Sequence, residues 1–288
     1  MPDEVIVPFD TLEAQQKAAC TVAIIANPDP ADIAQMPELK WIHSVWAGVE
    51  RVVADLGHTD LEIVRLVDPQ LADTMAEAVL AWTMYLHRDM PAYAQLQREK
   101  VWKTLDYTQA PQRSVGVLGL GALGDAAAKR LLASNFRVSG WSRSKKEVAG
   151  VTCFAGADEL QAMLRETDIV VCLLPLTAET KGLLNAERLA WMKPGAQLIN
   201  FGRGPIIEDD ALKAALDSGA IKHAVLDVFA LEPLPPTQWQ WSHSAVTVLP
   251  HISAPTDRET ASAIVAANIT AYRSFGTVPP SVNTQRGY

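Results

Sequence analysis

Three polar residues sit just past apolar, strand-like runs in the second half of the chain, and their types suit a proton-coupled reduction. Arg203 follows "AQLINFG" (196–202), Glu232 follows "HAVLDVF" (223–229), and His251 follows "AVTVLP" (245–250). A histidine beside a carboxylate is a proton-transfer pair, because the carboxylate fixes the ring and stabilises the imidazolium. An arginine can grip a carboxylate through two parallel hydrogen bonds. With a nicotinamide, the three describe reduction of a 2-keto acid. Each residue alone also suits a plainer role: Arg203 a helix cap, Glu232 a turn residue before Pro233, His251 a satisfied loop histidine. Their order and flanking residues favour the chemical role for all three.

A nicotinamide requires a dinucleotide site. Gly119-Leu120-Gly121-Ala122-Leu123-Gly124 follows the apolar run "SVGVL" (114–118) and opens a helical stretch. Gly119 would make the tight turn, Gly121 would admit a pyrophosphate against the backbone, and Gly124 would let helix pack on strand. Main-chain amides at the helix start, those of Ala122 and Leu123 among them, would face the phosphates. In NAD-binding versions an acidic residue about 20 positions on holds the ribose hydroxyls. Here the next strand ends in Trp141-Ser142-Arg143-Ser144-Lys145, without a carboxylate. Arg143 offers a fork for phosphate oxygens, Ser142 and Ser144 offer hydroxyls, and Lys145 offers a point charge. The stretch reads as a selector for NADPH, with NADH also possible; the plainer alternative is a solvated charged turn.

These residues need a scaffold, and the pattern describes one. Apolar runs at 21–27, 39–48, 61–67, 114–121, 136–142, 168–175, 196–202, 223–229 and 245–250 alternate with helical stretches, including long ones near 73–99 and 258–275. That alternation predicts an α/β protein of two Rossmann-like or flavodoxin-like domains with parallel sheets and a ligand cleft between them. The polar segment 105–113 reads as a linker, and the last helix as a return to the first domain. The expected division is 1–92 plus 262–288 for the substrate-binding domain and 93–261 for the dinucleotide-binding domain.

Composition narrows the classes. The chain has 288 residues, 49% hydrophobic and 20% charged, with formal net charge -8. That acidity argues against nucleic-acid or anionic-membrane partners. Cys20, Cys153 and Cys172 show neither C-x-x-C spacing nor a metal-ligand cluster, so no metal is expected. Scattered thiols, the lack of a signal-peptide pattern and the lack of a membrane-length apolar run predict a cytoplasmic protein.

The ordered pieces "GLGALG", "LLPLTAETKGLL", "MKPGAQLINFGRG", "ALDSG", "LDVFALEPLP", "LPHISAPT" and "RGY" resemble the D-2-hydroxyacid dehydrogenase family, and within it the glyoxylate/hydroxypyruvate reductase A group. The resemblance is tight over about 114–288 and looser over "WAGVE" (46–50) and 72–90. It implies that Arg203 binds the substrate carboxylate, that His251 is the general acid, and that Glu232 holds His251 protonated. It further implies that Ala47, Gly48 and Val49 hold the carboxylate through main-chain amides, and that Asp227 lies near the nicotinamide carboxamide. Leu174, Pro175, Leu176 and Thr177 would line the cofactor groove, and a symmetric homodimer would be the assembly. Trp46, beside the proposed carboxylate site, would limit substrate size or simply fill a core. Glu50 and Ser253 depart from the family's frequent residues without touching an assigned role. The implied activity is NADPH-dependent reduction of small 2-keto acids such as glyoxylate and hydroxypyruvate. The competing readings are a dehydrogenase for a larger 2-keto acid and a non-catalytic dinucleotide-sensing scaffold. Formate-type relatives carry glutamine where Glu232 stands, and NAD-linked biosynthetic relatives add a regulatory domain, so both are disfavoured.

Overall fold

The structure, a computed structural model, describes residues 4–284. The C-terminal Arg286-Gly287-Tyr288 of the family resemblance lies outside the described residues. The chain forms two compact units: residues up to Gln70 together with those from Thr256 onward, and Leu71–Pro255.

The first unit is built on three parallel strands, β1 (Val22–Ile25), β2 (Trp41–Ser44) and β3 (Glu62–Val64), in that order across the sheet. All four residues of β2 are buried, so strand alternation sends its side chains to two different cores. Ile42 packs with Ile25, Val52, Leu56 and Ile63 on one face. Trp41 packs with Val64, Val265 and Ile269 on the other. The last two belong to helix Arg258–Phe275, whose start is capped by the Asp257 carboxylate on the amides of Glu259 and Thr260. That helix is the expected chain return. Asn268 on it bonds the buried His43 ring at 2.9 Å.

The second unit carries seven parallel strands: β4 (Ser114–Leu118), β5 (Arg137–Ser142), β6 (Thr152–Ala155), β7 (Ile169–Cys172), β8 (Ala196–Asn200), β9 (Ile221–Leu226) and β10 (Val246–Val248). Their order is β10-β9-β8-β7-β4-β5-β6. The chain therefore steps outward from β4 in both directions, the doubly wound arrangement, and the crevice at the reversal lies outside the carboxyl ends of β4 and β7. Continuous apolar strands suit a sheet covered on both faces. Ile169 and Val171 of β7 pack with Met75, Val79, Leu86, Ala127 and Leu131. Val170 and Cys172 pack with Leu160, Leu164, Leu189 and Leu212 on the opposite face.

The structure differs from the sequence expectations in five places. Helix Pro69–His87 buries Met75, Val79 and Leu86 in the second unit's core, so the units divide at 70/71 rather than 92/93. The second division falls at 255/256 rather than 261/262, because helix Arg258–Phe275 is continuous and Thr260 donates to Asp68 Oδ2 at 2.6 Å. The expected 73–99 helix is two helices, Pro69–His87 and Met90–Arg98. Between them Asp89 takes φ 54°, and Pro91 has no N–H to continue the ladder. Strand β6 lies outside the apolar runs of the sequence pattern, and the irregular 105–113 segment, expected as a linker, belongs to the second unit, where Tyr107 stacks edge-on against His87.

Candidate active site

The crevice end of the second unit's sheet is assembled loop by loop. After β4, Gly119 takes φ 103°, a conformation that side-chain-bearing residues rarely adopt, and its amide donates to Trp141 O at 2.8 Å. Helix Ala122–Ala133 then starts at Gly121. A Cβ on Gly124 would be driven into the Gly119 carbonyl, so helix and turn are in direct backbone contact. A Cβ on Gly121 would meet nothing within 4 Å, and the residue has an ordinary negative φ of -77°. The protein's own packing does not require glycine there, and the open space leaves the backbone accessible to a pyrophosphate. The residues thus fit a dinucleotide at the start of this helix.

Ser142, Arg143, Ser144 and Lys145 stand at the carboxyl end of β5. Ser142 is buried and donates to Ser144 O at 2.7 Å, which shapes the turn. Arg143, Ser144 and Lys145 are exposed. Arg143 pairs with Glu179 at 3.3 Å, with side-chain exposures of 49% and 68%. Glu179 belongs to the turn after β7, where Thr180 Oγ1 donates to Pro175 O at 2.6 Å and accepts from Thr177 N at 2.8 Å. These bonds close the turn from Pro175 to Thr180, which holds Leu176 and Thr177, and Leu174 directly precedes it. Cys172 ends β7, and burial pushes its thiol up to about 12, so it offers no thiolate.

Arg203 follows β8, between two glycines that serve contact rather than turning. A Cβ on Gly202 would press on Leu174 main chain, and one on Gly204 would overlap the main chain of Phe229 and Ala230. The Arg203 loop is thus pressed against the loops on both sides, one of which leads to Glu232. Glu232 turns back so that Oε1 accepts from Phe229 N at 2.8 Å, while Oε2 meets His251 Nδ1 at 2.7 Å. A carboxylate on Nδ1 fixes the proton there and leaves Nε2 for a second partner. Half of the His251 side chain is exposed, at 52%.

His251 has φ 56° and is held by Asp227. Its amide donates to Asp227 O at 3.0 Å, and the two Asp227 carboxylate oxygens accept from Ile252 N and Ser253 N at 2.8 Å each. Asp227 is only 1% exposed. The sequence singled out Asp227 through the family resemblance; its grip on the histidine loop, the closing role of Thr180 and the presence of Glu179 beside Arg143 were missed.

In the first unit, Trp46, Ala47, Gly48 and Val49 form the loop after β2 and lead into helix Glu50–Leu56. Trp46 is 41% exposed and its amide donates to Ser44 Oγ at 3.1 Å. Val49 is buried. Among the described residues, no hydrogen bond is made by the amides of Ala47, Gly48 or Val49. Of the remaining histidines, His43 meets Asn268, His223 meets Thr247 at 2.9 Å and His243 meets Asp217 at 3.1 Å, which are structural pairings.

A doubly wound sheet with a glycine-rich first turn and a carboxylate-oriented histidine past its strand ends defines a nucleotide-dependent oxidoreductase scaffold. Residues 80–253 match the family model for the D-isomer specific 2-hydroxyacid dehydrogenase NAD binding domain. Glyoxylate/hydroxypyruvate reductase A of Serratia proteamaculans is 37% identical over 92% of this chain and 87% of its own length. Two solved structures superpose with a TM-score of 0.89 each. One is a D-isomer specific 2-hydroxyacid dehydrogenase from Xanthobacter autotrophicus in complex with NADPH and MES, 41% identical over 93% of this chain and 85% of that one. The other is an NADPH-dependent glyoxylate/hydroxypyruvate reductase from Sinorhizobium meliloti in complex with NADP and sulfate, 34% identical over 94% and 87%. This chain belongs to the D-isomer specific 2-hydroxyacid dehydrogenase family.

Proposed function

We propose that the protein reduces small 2-keto acids, glyoxylate and hydroxypyruvate among them, to D-2-hydroxy acids with NADPH. The observation that carries this reading is the 2.7 Å pair of Glu232 and His251 on a loop pinned by Asp227. The relatives' names supply the substrate class, and the NADPH complex of the Xanthobacter enzyme supports the cofactor. In this reading Leu71–Pro255 is the cofactor unit and the other unit the substrate unit. Gly119, Gly121, Ala122, Leu123 and Gly124 would hold the pyrophosphate, the 174–177 turn would flank the cofactor, and Arg143 with Ser142, Ser144 and Lys145 would hold the 2′-phosphate. NADPH, when bound, supplies the hydride to the keto carbon.

The chain's own residues do the rest. Arg203 grips the carboxylate and polarises the keto group. His251 gives the Nε2 proton to the keto oxygen, and Glu232 keeps the ring oriented and the imidazolium stabilised. On the first unit, the amides of Ala47, Gly48 and Val49 are donors of the kind a carboxylate takes. A homodimer is the proposed assembly; Trp102, at 103% exposure, and Tyr107, at 59%, are aromatic surface that a second copy would cover. A cytoplasmic setting suits the three free thiols.

The test follows NADPH and NADH oxidation in parallel with glyoxylate, hydroxypyruvate, pyruvate and phenylpyruvate. Rapid NADPH oxidation by the two small acids is expected. His251→Asn should cut turnover by about 10²–10⁴-fold with NADPH affinity nearly unchanged. Tight NADPH binding without turnover on any acid would favour a sensing scaffold. A preference for phenylpyruvate would move the substrate class upward in size.

A further inference from the structure

We infer that Asn200 is a positioning residue for the reaction, acting through Arg203. This rests on the reading of Arg203 as the carboxylate-binding group. Asn200 is the last residue of β8 and is 1% exposed. Its side chain bridges the Arg203 turn from both sides. Oδ1 accepts from Gly202 N at 3.1 Å, and Nδ2 donates to Arg203 O at 3.1 Å. The first bond holds the Phe201–Gly202 peptide and the second the Arg203–Gly204 peptide, so together they brace the Gly202–Arg203 segment from which the arginine side chain leaves the backbone. The side chain in turn donates from Nη1 to Gly202 O at 2.7 Å, and Gly202 is the residue whose amide Asn200 holds.

Asn200 also registers this turn against the proton-transfer residues. Its main-chain carbonyl accepts from Asp227 N at 3.1 Å, and Asp227 carries the 251–253 loop. Gly204 provides the matching contact on the far side, where only hydrogen fits against Phe229 and Ala230. One buried amide therefore ties the carboxylate grip and the acid into a single frame. An amide suits the position because one donor and one acceptor are needed on the same small side chain. Aspartate keeps the acceptor and the volume but cannot donate to Arg203 O.

The experiment is a double-mutant cycle of Asn200→Asp with Arg203→Lys, read as KM for glyoxylate, kcat and NADPH affinity. Asn200→Asp should raise KM about ten- to hundredfold, the range expected for a lost buried bond, with NADPH affinity little changed and the thermal midpoint lowered, because a buried carboxylate would face the Arg203 carbonyl. In the Arg203→Lys background the same change should have little further effect, because the two residues act as one unit. A full, independent effect of Asn200→Asp in that background would overturn the inference, as would a parallel loss of NADPH affinity. If Arg203→Lys alone left KM unaltered, the carboxylate role of Arg203 would fall and Asn200 with it. If Asn200→Asp does not fold, Asn200→Ser gives the same cycle, with the same KM rise and the same non-additivity expected.

Discussion

Asp227→Asn is the sharpest perturbation of the proposed acid, His251. Asp227 is almost fully buried, and each carboxylate oxygen takes one amide of the histidine loop at 2.8 Å. Asparagine keeps the shape but turns one acceptor into an NH₂ group that faces an N–H. One charge-assisted bond is lost, worth about 1.5–3 kcal/mol, and the stranded amide adds about 1–3 kcal/mol. The loop can stay at that cost or relax. His251 favours relaxation, because its φ of 56° is a backbone state that persists only where neighbours impose it. Displacement of a reacting group by about 1 Å costs on the order of 10²-fold. The expected result is kcat lowered by about that factor, NADPH affinity little changed, and the thermal midpoint down by about 5–24 °C if the loop stays and by less if it relaxes, at about 2–4 °C per kcal/mol. Stopped-flow reduction, NADPH titration and calorimetry read the three quantities separately. Full kcat in a folded variant would refute the argument that Asp227 holds the acid in place. Intact kcat with weakened NADPH binding would instead put Asp227 against the nicotinamide carboxamide.

Two further perturbations address other parts of the molecule. Arg143→Ala should lower kcat/KM for NADPH about tenfold, the low end for a charged hydrogen bond because the guanidinium is half exposed, while NADH changes little; equal losses would make the stretch a charged turn only. Glu179→Gln should act in the opposite direction, since it removes the carboxylate that competes for Arg143, and the gain in NADPH affinity should shrink as salt rises. His223, 5% exposed beside Thr247, is held down to about 4 from 6.5 by burial first and then by the charges of His243 and Lys222. Its folded value lies below its unfolded value, so the unfolded chain takes up a proton first as pH falls. That stability is intact above pH 6.5 and is lost progressively down to about 4. At about 1.4 kcal/mol per pH unit, roughly 2 kcal/mol should disappear by pH 5. Urea titrations at pH 7.5 and 5 on wild type and His223→Gln check this, and an equal pH dependence in the two proteins would remove His223 as the cause.

What the sequence made legible follows from what local pattern can encode. The Gly119–Gly124 turn was readable because strand, turn and helix each leave a mark within a few residues. The helix Arg258–Phe275 was readable because an Asp cap, an apolar stripe and a terminal Gly276 all agree. The second unit's division at 70/71 was not, because residues 69–87 look the same whichever core receives their apolar face. Strand β6 was lost because "TCFA" is short and half buried at the sheet edge. The site divides in the same way. Arg203, Glu232 and His251 stand out because an arginine, a carboxylate and a histidine each follow a strand-like run, and the carboxyl ends of strands in an open α/β sheet face the ligand crevice. The bonds that hold them do not stand out, since Asp227 reaches amides 25 and 26 residues away and Asn200 grips a turn that only the finished sheet brings beside Phe229. A candidate catalytic group can thus be chosen from sequence by its chemistry. Its placement is a property of the backbone contacts between adjacent strand ends, and those are set by sheet order. The same point explains why the glycines at 202 and 204 carry more positional information than their neighbours: each marks where one loop is pressed onto the next.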